Sequence, residues 1–349
     1  MKVAIITDQH FGARKSSKFF HDYFKKFYDN VFFPYLKENK ITTIVNMGDT
    51  FDNRRNIDIS SLEWAKVNYF DPLREMGITI HTVIGNHDIY YKNTNDVSSV
   101  SLLLKEYDNV IIYPETKEIK LGRLKILLVP WINQENEKIS IDAIKKSKAK
   151  IAMGHLELNG FQATRVHMME DGMDIKYFDK FDKVYSGHYH TRSDNGKIYY
   201  LGNPYEIYWN DCADTRGFHF FDTETLDHIP VNNPYRLFYK IYYDDTPHQT
   251  FDAREYEDKI VKVIVRKKSD ITQFEKFVDK LYASNVAELK IVENFDFGGW
   301  YDKDNASEVE SEDTLSILNR YIAEAEISLD KSVIRKMVDE IYQEACEIT

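Results

Sequence analysis

The sequence predicts an α/β fold: a large N-terminal body of buried strands and outer helices, a small α+β cap domain, and C-terminal helices. Three observations carry this. Short runs of β-branched and aliphatic residues alternate with helix-period stretches along the first 225 residues. Hydrophobic residues make up 43% of 349, enough for more than one core. The texture then breaks at Pro230, Asn232, Asn233 and Pro234, and a shorter strand and helix series follows.

In chain order, Val3–Asp8, Thr43–Gly48, Thr79–Gly85, Leu124–Trp131, Lys150–Gly154 and Lys183–Gly187 read as buried strands. Residues 17–39 read as an amphipathic helix, with Phe20, Phe24, Phe27 and Val31 at i, i+4, i+7 and i+11. A second helix fits 60–76 and stops before Gly77. Further β-like runs lie at Lys197–Leu201 and Gly217–Asp222. Past the break come strand-like Leu237–Tyr243 and Ile260–Arg266, a helix over Ile271–Ala283 and a strand over Ala287–Val292. The expected organisation is a body at 1–230, a cap at 235–300, an acidic linker at 301–313 and a helical segment at 314–349.

Composition excludes several classes. Cys212 and Cys346 are the only cysteines, so a disulfide framework and a Cys-rich zinc module are out, and a reducing compartment fits. No apolar run approaches the ~18 residues that span a bilayer. The N-terminus, a strand from the outset, lacks the apolar region of a secretion signal, so the expectation is an intracellular protein in the cytoplasm with no membrane contact. The net charge is −11. Thirteen acids against five bases lie from Asp302 onward, which leaves −3 for residues 1–300. The body therefore has no strongly basic footprint.

Five short motifs punctuate the body: Asp8-Gln9-His10, Gly48-Asp49-Thr50-Phe51-Asp52, Gly85-Asn86-His87-Asp88, Gly154-His155 and Gly187-His188-Tyr189-His190. Four of them end predicted strands, and ligands of open α/β sheets gather at the carboxyl ends of strands. Carboxylate, amide and imidazole together are hard-to-borderline donors suited to manganese, iron or zinc. A carboxylate such as Asp49 can bridge two ions ~3.5–4 Å apart. Each motif alone has a bland reading: Asp52 and Asp88 as turn or helix caps, His155 as a buried structural histidine. The five in order point to one converging metal site.

This ordered set resembles the calcineurin-like metallophosphoesterases, whose pattern D-x-H, G-D-x-x-D, G-N-H-D/E, G-H and G-H-x-H is complete over roughly residues 1–225. Within that superfamily the sequence looks most like the SbcD-type DNA-repair exonucleases, relatives of the eukaryotic Mre nuclease. The likeness rests on Gly48–Asp52, on Tyr200-Leu201-Gly202-Asn203-Pro204, where Asn203 replaces the usual Ser or Thr, and on Arg216-Gly217-Phe218 with Phe221–Thr225. Residues Gly154–Phe161 are similar to the recombination nuclease subunits of T-even phages.

The resemblance implies a β-sandwich flanked by helices and a metal-dependent DNA nuclease with 3′-5′ exonuclease and single-strand endonuclease activity. It implies two divalent ions, manganese foremost: one held by Asp8, His10 and His190, the other by Asn86, His155 and His188, with Asp49 shared. His87 would protonate the departing oxygen or stabilise the transition state, and Asp88 would orient a neighbouring histidine. Arg14, Lys15, Lys18, Arg54, Arg55 and Arg192 flank the motifs and are candidate contacts to DNA phosphates. Implied partners are DNA, a second copy of the chain, and an SbcC-type coiled-coil, SMC-like ATPase in repair and recombination. The stripe Ile334, Met337, Val338, Ile341 and Tyr342 is the candidate docking face for that ATPase; packing onto the body is the plainer alternative. A phosphoesterase acting on phosphoprotein or small phosphodiesters, and a metal-bound scaffold without catalysis, are the competing functions.

Overall fold

In the computed structural model the described residues are 1–164, 167–169, 172–268, 270–293, 321–322, 331–335 and 337–338. Two six-stranded sheets form the body. The first runs, in spatial order, His228–Asn232, Gly217–Asp222, Lys2–Ile6, Thr43–Asn46, Thr79–Val83 and Val110–Tyr113. The second runs Ser193–Asp194, Ile198–Tyr200, Lys183–Gly187, Ile151–His155, Leu124–Val129 and Lys117–Leu121. Their central strands are parallel. Parallel strands buried on both faces are apolar at nearly every position, as Val3–Ile6 and Ile126–Val129 are.

Three apolar layers follow from that alternation. Val3, Ile5, Val45 and Val83 of the first sheet meet Ile126, Leu128, Ile151 and Met153 of the second. Ala4, Ile6, Ile44 and Ile80 turn outward against the helices. Val129, Ala152 and Val184 face outward from the second sheet onto Ile144, Phe178 and Phe181. The architecture is a sandwich flanked by helices, in line with the expected fold class.

The helices at Lys18–Glu38 and Ile59–Glu75 share one device. Each carries a proline, Pro34 or Pro72, that lacks an N–H and crowds the carbonyl four residues back. Each widens into a π-turn, Tyr28–Phe32 or Lys66–Phe70, just before it. The N–H of Phe33 reaches back to the Tyr28 carbonyl, and that of Asp71 to Lys66. The widened turn rotates the apolar face, so Tyr28 and Phe32 continue the stripe of Phe20, Phe24 and Phe27, and Val31 is only half-buried. The second helix ends as Gly77 predicts: Ile78 N–H bonds the Leu73 carbonyl and Gly77 N–H that of Arg74.

The expected break at Pro230–Pro234 begins later. Pro230 and Asn232 lie in the strand His228–Asn232, at the sheet edge, where a proline needs no ladder donor. Beyond Asn233, Phe238–Tyr242, Ile260–Val265 and Glu288–Glu293 form a three-stranded parallel sheet, covered by the helix Ile271–Ala283. It has its own apolar cluster of Ile241, Val261, Val263, Phe274, Phe277 and Leu281. The buried Glu206 of the body accepts the N–H groups of Leu237 (2.5 Å) and Phe238 (2.8 Å) and so fixes the entry of this unit. The linker 301–313 and most of the segment 314–349 lie outside the described residues, as do Ile341 and Tyr342. Ile334 and Val338 are half-buried and Met337 is exposed. Among the described residues no helix is long and apolar enough to cross a membrane.

Candidate metal centre

All five motifs meet where the two sheets present the carboxyl ends of their central strands. Residues 7–10 follow Lys2–Ile6, residues 47–52 follow Thr43–Asn46, and residues 84–88 follow Thr79–Val83. His155 ends Ile151–His155, and His188 and His190 follow Lys183–Gly187. The loops are tightly wound. Asp8, His10, Asp49 and His188 have φ of 52°, 46°, 51° and 85°. Non-glycine residues held there store strain that tertiary structure must impose. Two glycines are obligatory neighbours. A Cβ on Gly85 would collide with the Asp49 carboxylate, and one on Gly187 with the Thr7 hydroxyl.

Three groups of donor atoms lie within 4.8 Å of one another: Asp8, His10 and His190; Asp49, His155 and His188; and His10, Asp49 and His87. His10 Nε2 is 3.2 Å from His190 Nε2. One Asp49 oxygen, Oδ2, is 3.2 Å from His155 Nε2 and 3.8 Å from His10 Nε2, a position between the first two groups. Asn86 Oδ1 faces His155 Nε2 at 2.8 Å and His188 Nδ1 at 2.9 Å. Lone pairs thus converge on lone pairs in a buried pocket of oxygen and nitrogen donors, an arrangement that fits divalent cations. With its amide reversed, Asn86 donates to His155, Asp49 and His188 and accepts from Arg54 Nη2 at 3.2 Å.

Each ring is set by a neighbour. His155 Nδ1–H donates to the Met47 carbonyl (2.8 Å), which leaves Nε2 aimed inward. His87 Nδ1–H donates to the Asp52 carbonyl (2.6 Å). Asp52 Oδ1 lies 3.2 Å from His10 Nδ1 and accepts from Tyr208 O–H at 3.1 Å. His190 Nδ1 lies 3.6 Å from Asp211 Oδ1. Trp131 packs on the His188 ring, with centroids 5.0 Å apart. The Asp49 carboxyl is held well below the usual carboxylate range: burial opposes this, but the rings of His155 and His87 outweigh it.

Asp88 takes a different place from the one expected. Its hydrogen bonds run to main-chain N–H groups of Thr50 (3.0 Å), Phe51 (3.4 Å) and Gly85 (2.9 Å), and to the Ser99 hydroxyl (3.5 Å). It clamps the second motif to the third; the rings are oriented by Met47, Asp52 and Asp211 instead. Burial, then the charge of Asp49, pushes its pKa up to about 6.

The basic residues divide. Arg54 is half-buried and reaches Asn86. Arg55 and Lys15 are exposed, Lys18 pairs with Asp22 at 2.7 Å, and Arg14 lies 5.6 Å over the Phe20 ring. Arg192 turns back into the body. It donates to the Leu201 carbonyl (3.0 Å) and to Asn232 Oδ1 (2.7 Å), so its guanidinium ties two segments together instead of facing a phosphate.

Sequence reading missed Asp211. It sits in the short turn Trp209–Asp211, outside every motif. There it pairs with the buried Arg216 (3.2 Å) and accepts from Asn203 (3.2 Å) and from the N–H groups of Ile207 and Tyr208. Arg216 also donates to the His190 carbonyl and to Asn203 Oδ1. Burial alone would raise the Asp211 carboxyl, yet Arg216, foremost, and His190 hold it well below its ordinary value.

Comparison with known proteins agrees with this geometry. The family profile of the calcineurin-like phosphoesterases matches residues 1–192. The chain belongs to that family. Calcineurin-like phosphoesterases hydrolyse phosphoesters with two metal ions, and the clustered Asp and His donors place this chain among the metal-dependent phosphodiesterases. The chain is 31% identical, over 357 residues, to exonuclease subunit 1 of Enterobacteria phage T4, covering 99% of this chain and 100% of that protein. Two solved structures are far more distant. An archaeal phosphodiesterase shares 11% identity with a TM-score of 0.35, covering 67% of this chain and 100% of its own. A dimetal phosphatase from Danio rerio shares 11% identity with a TM-score of 0.37, covering 63% and 91%.

Proposed function

We propose that this calcineurin-like phosphoesterase is a two-metal DNA nuclease, a 3′-5′ exonuclease with single-strand endonuclease activity. The observation that carries the reading is similarity to an exonuclease subunit along 99% of the chain, cap and C-terminal segment included. Asp8, His10 and His190 would hold one ion, Asn86, His155 and His188 the other, and Asp49 both. Manganese suits this oxygen and nitrogen donor set. When bound, the ions lower the pKa of a water and neutralise charge on the phosphodiester.

The chain's own groups do the rest. The Asp52 carbonyl holds the Nδ1–H of His87, which leaves Nε2 as the nitrogen that, in the doubly protonated ring, would pass its proton to the departing 3′ oxygen and return the ring to neutral. Asp52 and Asp211 hold His10 and His190 in place. Asp88 keeps the second and third motifs in register.

The relative's name makes it one subunit of an exonuclease. We extend that to this chain: a homodimer working in the cytoplasm, in repair and recombination, with an SbcC-like coiled-coil ATPase. The ATPase would dock on the stripe that includes Ile334, Met337 and Val338. The test is cleavage of end-labelled single- and double-stranded DNA, with bis(p-nitrophenyl) phosphate in parallel, with and without manganese. Metal-dependent loss of 3′ nucleotides supports the nuclease. Turnover of the small ester with DNA left intact would replace it with a different phosphodiesterase.

A further inference from the structure

Trp131 is pinned by its main chain at the rim of the metal centre. It lies two residues past the strand Leu124–Val129, at the carboxyl ends where the five motifs gather. Its N–H donates to the Ile84 carbonyl (2.7 Å), the residue before Gly85 of the third motif. Its carbonyl accepts from Asn95 Nδ2 (3.1 Å) and Asn136 Nδ2 (3.0 Å).

The side chain is left partly open. The indole packs on the rings of His188, with centroids 5.0 Å apart, and His155, at 6.0 Å, both in one donor group with Asp49. Yet the residue is only half-buried. Its Nε1–H makes no hydrogen bond among the described residues and is not sealed from solvent. A buried tryptophan usually pairs that group.

The adjoining loop carries two more open rings. Tyr90 and Tyr91 are 43% and 53% exposed and meet edge to face at 4.7 Å. Asn95 of that loop donates to the Trp131 carbonyl, and the Asn93 carbonyl accepts from the Glu135 N–H (3.3 Å), so the two loops run side by side. Open aromatic rings of this kind are what unpaired bases stack on.

His87 sits with a different donor group. It packs on His10, with centroids 4.8 Å apart, in the group that includes Asp49. In 3′-end cleavage the departing 3′ oxygen stays with the remaining strand and takes its proton at His87. The phosphorus leaves with the released nucleotide, which therefore belongs with the other group, where Trp131 stands.

We propose that Trp131 is the stacking platform for the 3′-terminal base, a specificity-determining residue that tells a nucleic-acid end from other phosphodiesters. This rests on the nuclease reading and adds to it what recognises the last nucleotide.

The test uses Trp131→Ala and Trp131→Leu in the full chain with manganese. Trp131→Leu keeps an apolar side chain against His188 but has no aromatic face. Two single strands are compared, one natural and one ending in a 3′ tetrahydrofuran abasic residue. On the natural strand both variants should raise KM roughly 10–100-fold, the worth of one base on an aromatic ring, with kcat within about three-fold. On the abasic strand the wild type should already show the raised KM, and the variants should add less than about two-fold, because the stacking partner is gone. A 3′-terminal 2-aminopurine, whose fluorescence stacking quenches, should darken on binding to His87→Ser, used to slow cleavage, and stay bright with His87→Ser/Trp131→Leu. Equal losses on both strands, or loss of bound manganese, overturn the platform and make the indole a wall of the metal centre. Unchanged KM in both variants, in a chain that digests DNA, overturns the platform alone. A wild-type chain that hydrolyses bis(p-nitrophenyl) phosphate but not DNA overturns the platform and the nuclease reading together.

Discussion

The main-chain N–H of His188 donates to the carboxylate of Asp8, with both oxygens at 3.1 Å. The bond spans 180 positions of sequence and joins the end of a strand in one sheet to the end of a strand in the other. Thr7 O–H donates to the same carboxylate at 2.8 Å. The bond holds the first and fifth motifs together, and the backbone of His188 adopts φ 85° to make it. The metal centre is therefore a property of the sandwich as a whole: His10, Asp49 and His87 come from the first sheet, but the groups with Asp8, His10 and His190 and with Asp49, His155 and His188 each draw on both.

Asp211 should matter as a positioning residue. Asp211→Asn keeps the shape but removes the charge beside His190 Nδ1. Loss of such a partner typically weakens metal affinity or activity 10–100-fold. Isothermal titration with manganese should show one of two binding steps weakened by that amount, with the other unchanged. Two unaltered steps would mean that the 3.6 Å contact does not tune the ligand.

His87 should separate binding from chemistry. His87→Ser should retain both ions and lose roughly 10²–10⁴ in turnover, the usual worth of a positioned acid. Asp49→Ala should lose ions as well as turnover. Metal content by mass spectrometry, read beside the rate, checks both. A His87→Ser enzyme with near-normal rates would remove its proton-donor role.

The chain should weaken in mild acid through the histidine pair His219 and His228. His219 Nε2–H donates to the Leu201 carbonyl (3.0 Å), and its Nδ1 accepts from His228 Nε2–H (2.9 Å), so both rings are neutral. Burial, with Arg192 and Lys183 adding, lowers His228 to about 4; burial, then Arg192, puts His219 well below its ordinary value. The unfolded chain binds protons near pH 6.5. Stability is therefore intact above about 6.5 and is lost as pH falls toward 4, by on the order of 2 kcal/mol for His228 after allowing for solvent screening. Urea unfolding midpoints between pH 7 and 4.5 should fall in the wild type and flatten in His228→Phe. Equal slopes would contradict this.

Truncation after Gly299 should leave a folded, metal-dependent phosphodiesterase, because every donor residue and, among the described residues, every member of the four apolar clusters lies upstream; Ile322, buried downstream, belongs to none of them. The truncated chain should fail to co-purify with the coiled-coil ATPase. An unfolded product would mean that the stripe of Ile334, Met337 and Val338 is core packing.

How much of this was legible in the sequence varies with the range of the interaction. The donors were readable because each sits beside glycine or a strand end. The Gly77 stop and the stripe of Phe20, Phe24 and Phe27 were readable because they are local. Val31 packs against the same cluster but stays half-buried, because a proline three residues on widens the helix, which periodicity alone does not register. Asp211 left no signal: its role comes from a turn 21 positions beyond His190, closed by Arg216. Arg192 misled because nearness in sequence to His190 says nothing of where its guanidinium points. Asp88 misled in the same way, since its partners are main-chain amides that no motif spells out.

The most direct test of the central claim is digestion of 3′-labelled and 5′-labelled DNA by the full chain, with manganese and after chelation, beside Asp49→Ala. The account predicts stepwise release from the 3′ end with manganese, and none after chelation or with Asp49→Ala. Cleavage that survives chelation, or DNA left intact while a small phosphodiester is hydrolysed, would contradict it.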